Sequence, residues 1–99
     1  MIRHVVAWKL AATEPSQKAA DAAEITRLLS GLVGVVPSIV SLAVGPNMAY
    51  FEANWDVVLV ADYDDLAGLD AYQTHPAHLE VVPQIKALVV QRASVDIEV

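Results

Sequence analysis

Cysteine is absent from this chain, which removes disulfides, thiolate nucleophiles and cysteine-ligated metals from consideration. Basic residues are scarce too. Lys and Arg number six, scattered singly at Arg3, Lys9, Lys18, Arg27, Lys86 and Arg92, against twelve Asp and Glu. A net charge of −6 without a basic cluster argues against a phosphate-tracking surface, so no nucleic-acid partner is expected. No apolar run approaches the ~20 residues of a membrane span, and no membrane partner is expected. The opening Met1-Ile2-Arg3-His4 leads directly into a strand pattern, without the layout of a signal peptide; the expected location is cytoplasmic. Missing as well are a glycine-rich phosphate loop and a hydrolase nucleophile motif. No metal or cofactor is expected. His75 and His78 lie three apart with Asp70 and Glu80 nearby, but Pro76 breaks the helical register that would align the two imidazoles.

Apolar side chain is abundant by contrast. It makes up 56% of the 99 residues, with only 18% charged, against about 45–50% and about 25% in ordinary soluble domains. The length fits a single domain over residues 1–99. A body of this size buries only about two-thirds of its unfolded surface. The surplus apolar surface calls for a second copy, and a homodimer is the expected state.

Taken in order, Ile2 to Leu10 alternates as a strand, with Ile2, His4, Val6, Trp8 and Leu10 on one face. Thr13-Glu14-Pro15 predicts a helix start with Thr13 as cap, and the helix runs to about Val33 over a stripe of Ala22, Ile25, Leu28, Leu29 and Leu32. A second strand is predicted over Ile39–Val44, a loop over Met48–Ala53 and a third strand over Trp55–Tyr63. Asp64 is the expected cap of a short helix ending at Tyr72. Pro76 starts another helical piece that Pro83 kinks or restarts, ending near Gln91. Ala93, Val95, Ile97 and Val99 then alternate with Ser94, Asp96 and Glu98 as a half-buried last strand.

The order β-α-β-β-α-β is that of an α+β ferredoxin-like domain with both helices on one face of an antiparallel sheet. The first three strands are apolar on both faces. Helices cover only one of them, and a second identical sheet is the economical cover for the other, giving a homodimeric α+β barrel.

The stretch Ile2-Arg3-His4-Val5-Val6, the following Trp8-Lys9-Leu10, Gly34-Val35-Val36-Pro37-Ser38-Ile39, Gly45, His75-Pro76-Ala77-His78 and Val95-Asp96-Ile97 together resemble the stress-responsive A/B barrel, or Dabb, family. The resemblance spans essentially the whole chain and implies the same dimeric barrel. Within that family the chain partly resembles polyketide cyclases of the olivetolic acid cyclase type, which close a ring by intramolecular aldol condensation. That likeness implies catalytic roles for His4, Tyr72 and His78. A third cyclase histidine falls at about Val57 here and a first-helix tyrosine near Leu29, so the pocket carries over more readily than the specific reaction.

The chemistry has bland counterparts. His78, with an ordinary pKa near 6.5, suits a general base at neutral pH, with Tyr72 as its orienter; equally, the two can pin the corner at Pro76. His75 before the proline suits a hydrogen bond to backbone. His4 on an apolar strand face requires a buried partner, which Tyr72 or His78 can supply. Trp8, Trp55, Tyr50 and Phe51 suit a ligand wall or an ordinary core. Trp8, Trp55, Val57 and Leu29 are the expected substrate-contacting positions. The leading expectation is a cofactor-independent lyase or cyclase acting on a small apolar or carbonyl-containing, polyketide-like ligand. A non-catalytic stress-related ligand-binding dimer is the alternative, with a cofactor-free monooxygenase behind both. The residues leave open whether the protein is an enzyme.

Overall fold

A computed structural model describes residues 1–99. The elements are β1 (Ile2–Leu10), α1 (Pro15–Ser30), β2 (Ser41–Pro46), β3 (Val57–Tyr63), α2 (Leu66–Thr74), α3 (Pro76–Lys86) and β4 (Val89–Glu98). The four strands form one antiparallel sheet in the order β2-β3-β1-β4. This is the ferredoxin-like α+β arrangement expected from the element order. No helix is long and apolar enough to cross a membrane.

Several boundaries differ from those the sequence suggests, each for a local reason. Glu14, not Thr13, caps α1: its carboxylate accepts from the backbone N–H of Ser16 and Gln17. An acid at this end also meets the positive pole of the helix. The helix ends at Ser30, and a series of turns follows through Gly34, which takes a φ of 82°. Asp65, not Asp64, caps α2 by accepting from Gly68 N–H at 2.8 Å. The second strand is displaced to Ser41–Pro46, where an edge position tolerates Gly45 and Pro46. Trp55 falls before β3 and outside the sheet. Helix α3 runs through Pro83 and stops at Lys86. Of the apolar Leu88-Val89-Val90 that follows, Leu88 ends the turn and the last strand begins at Val89.

Period-two alternation in β1 and β3 sends Val6, Trp8 and Leu10, with Val57, Leu59, Ala61 and Tyr63, into the core beneath the helices. From above, α1 adds Ala22, Ile25 and Leu29, α2 adds Leu69 and Tyr72, and α3 adds Val81 and Ile85. Full burial of each large aliphatic stabilises by about 1.5–3 kcal/mol.

The last strand behaves unlike the others. Its register with β1 pairs Arg92 with Trp8, Ser94 with Val6 and Asp96 with His4, so its polar side faces the helices. Ala93, Val95 and Ile97 pair with Ala7, Val5 and Arg3 and face away from them. The half-buried reading of this strand needs correction for the single chain: every residue from Val90 to Glu98 is exposed. The helix layer stops short of the β4 edge. There it leaves a cavity.

Candidate functional site

The cavity is about 320 Å³ and lies between the sheet and α1, α2 and α3. Its apolar wall includes Val6, Trp8, Leu29, Leu59 and Ile85, and its polar groups are His4, Tyr72, Gln73, His78, Lys86 and Arg92. Three elements therefore bring together the three residues singled out as catalytic. His4 comes from β1, Tyr72 from the last turn of α2, and His78 from the first turn of α3.

The corner at Pro76 sets the relation between Tyr72 and His78. His75 is extended, with φ −62° and ψ 136°, as a residue before proline prefers. Its Nδ1 accepts from Ala77 N–H at 3.1 Å, capping α3, which is the backbone role suggested by its place before proline. The turn packs the His78 ring at a tilt against Tyr72, centroids 4.4 Å apart, and Tyr72 in turn against Tyr63 at 5.2 Å.

His78 Nδ1 lies 3.1 Å from the Gln73 carbonyl oxygen. A carbonyl only accepts, so Nδ1 carries the proton in the neutral ring and Nε2 keeps its lone pair. Burial lowers the His78 pKa from its ordinary 6.5, opposed by the Gln73 carbonyl and reinforced by the charges of His4 and Arg92. The ring is thus uncharged at neutral pH. Burial pushes the Tyr72 hydroxyl up to about 12, so it stays protonated at neutral pH. Burial likewise raises Tyr63.

His4 is 3% exposed and meets Tyr72 edge to face at 6.3 Å between centroids. The partner required by its burial is neither Tyr72 nor His78. It is Asp96, whose Oδ1 lies 2.5 Å from His4 Nδ1. Reading the strand alone places Asp96 on a solvated polar side; the β1–β4 register turns it to His4.

Among the expected substrate contacts, Trp8 and Leu29 line the cavity, whereas Trp55 and Val57 do not. Val57 is buried in the core beside it. Trp55 sits with the Lys9 ammonium 5.3 Å from its ring centroid. The strand β3 begins two residues after it, at Val57, so Trp55 stays outside the sheet. Tyr50 and Phe51 are exposed and do not line this cavity. Besides Asp96, the sequence reading missed Lys86 and Arg92. The only available signal was Arg92 sharing a strand face with Asp96, and that requires the face to be known.

A dimeric protein of ferredoxin-like fold from Bacteroides fragilis is similar at 25% identity and a TM-score of 0.88, over 99% of this chain and 95% of its own. A dimeric ferredoxin-like protein from Thermobifida fusca gives 26% and 0.83, over 99% and 90%. The hydroxynitrile lyase of Passiflora edulis shares the fold at 11% identity and a TM-score of 0.77, over 97% and 90%. No curated protein matches the sequence. The family match itself runs from residue 2 to residue 99, and by it the chain belongs to the stress responsive A/B barrel domain family.

Proposed function

We propose that the cavity is a cofactor-independent proton-transfer site for a small carbonyl compound, of the lyase or cyclase kind. The observation that carries this reading is His78: an uncharged imidazole with its proton committed to the Gln73 carbonyl, bordering an apolar cavity beside a protonated tyrosine.

Nε2 of His78 takes a proton from the carbon next to a substrate carbonyl, and the electron pair moves onto that carbonyl oxygen as an enolate. The Tyr72 hydroxyl donates a hydrogen bond to the oxygen as charge develops, which is worth more in an apolar cavity than in water. In a cyclase the enolate carbon then forms a bond to a second carbonyl of the same polyketide-like chain. The alkoxide so produced regains the proton from His78. His4, oriented by Asp96, presents Nε2 as a second polar contact for the ligand.

The chain works as a homodimer in this reading. The sheet face opposite the helices carries Val5, Ala7, Val58, Val60, Val95 and Ile97, and Val58, Val95 and Ile97 are exposed in the single chain. A second sheet laid on it would bury them, as the dimeric state of the Bacteroides and Thermobifida proteins suggests.

The test is turnover of a panel of β-diketones and 3,5-dioxo acids by the wild type and His78→Gln. Loss of about 10²-fold or more in kcat for the variant is expected, in line with removal of a general base. Equal turnover by both, or none by the wild type, refutes the mechanism. A non-catalytic ligand carrier is the second reading, favoured by the cavity's largely apolar wall; tight binding without turnover would select it.

A further inference from the structure

The chain's cations are unevenly partnered. Arg3 bridges to Asp62 at 2.9 Å, Lys18 to Asp56 at 3.2 Å and Arg27 to Glu24 at 2.5 Å, while Lys9 lies over Trp55. That leaves Lys86 and Arg92. Neither makes an ion pair, although acidic residues outnumber basic ones twelve to six. Both line the cavity.

Arg92 reaches this position because β4 turns it to the helix side opposite Trp8. Its guanidinium donates from Nη1 to Ser94 Oγ at 3.3 Å, which leaves most of its five N–H donors free. Asp96, the acid on the same strand face, is engaged by His4 and does not neutralise it. The Arg92 charge is felt at both Tyr72 and His78, behind the larger effect of burial. Lys86 approaches from the last turn of α3.

We infer that the cavity takes a ligand bearing a carboxylate, held at the rim by Arg92 and Lys86 with its apolar part against Trp8, Leu29 and Leu59. A guanidinium and an ammonium at one opening suit a planar anion with two acceptor oxygens. A neutral ligand would leave both cations paired only with water. Placing the substrate's carbonyl at Tyr72 and His78 rests on the proton-transfer reading and makes the substrate a small oxo acid. The carboxylate grip itself is measurable without turnover.

The experiment compares octanoate with octanamide, matched in shape and differing in charge, by calorimetric titration at low ionic strength. The wild type should bind octanoate about tenfold or more tightly than octanamide, as charge-assisted hydrogen bonds do relative to neutral ones. In Arg92→Gln combined with Lys86→Gln the ratio should approach one, with octanamide affinity unchanged. Both residues are exposed, so the double variant retains its fold. Equal affinities in the wild type, no affinity for either probe, or a preference that survives the double substitution overturns the inference. His78→Gln distinguishes the two ideas. A preference intact in that variant supports the carboxylate grip, whereas absent wild-type turnover with full preference sinks only the proton-transfer reading.

Discussion

His4 and Asp96 are direct partners across the β1–β4 ladder, and their side chains meet at 2.5 Å between Nδ1 and Oδ1. The carboxylate only accepts, so Nδ1 is protonated and its donor is satisfied inside the molecule. Asp96→Ala leaves that buried donor unpaired and should destabilise by about 1–3 kcal/mol. Asp96→Asn, whose amide oxygen still accepts, should lose less. Urea unfolding midpoints of the three proteins measure the order; identical midpoints would show the contact to be idle.

His78 supplies a pH-dependent part of stability. Burial lowers its folded pKa below the ordinary 6.5, so between the two values the unfolded chain binds the extra proton. Its contribution is therefore complete above pH 6.5 and is lost as pH falls through the folded value. Subtracting the stability of His78→Gln from that of the wild type should give a difference flat above pH 6.5 and falling below it. A difference that rises on acidification would reverse the assigned environment.

Val95 is 60% exposed and pairs with Val5 on the face away from the helices. In a lone chain Val95→Glu puts a charge in water at little cost. Between two sheets it buries an unpaired carboxylate, which costs several kcal/mol. Sedimentation should find the wild type dimeric and Val95→Glu monomeric, both with native circular dichroism. A variant that remains a dimer would remove this face from the interface.

Gly34 has a φ of 82°, and a Cβ added there would meet nothing within 4 Å. The cost of Gly34→Ala is thus purely one of backbone conformation, about 1 kcal/mol. Gly45 has equal space and no positive φ, so Gly45→Ala is the matched control. Thermal midpoints should separate the two.

Much of the fold is legible because short-range physics writes it. The alternation of His4, Val6, Trp8 and Leu10 marks the buried face of β1, and the Ala22, Ile25 and Leu29 spacing marks that of α1. Pro76 announces the corner that packs His78 against Tyr72. Helix caps were less legible, since Thr13 and Glu14, like Asp64 and Asp65, offer neighbouring acceptors, and only backbone geometry selects between them. Leu88-Val89-Val90 was ambiguous because a short apolar run suits helix or strand equally.

By itself the amino-acid order determined the class of fold, the apolar excess and a histidine–tyrosine corner, all consequences of residues near one another in the chain. Tertiary structure alone decided which side of β4 meets the helices. A one-residue shift in pairing exchanges the two sides of a strand, and that choice sets Asp96 against His4 and Arg92 opposite Trp8 at the cavity, each pair more than eighty residues apart in the chain.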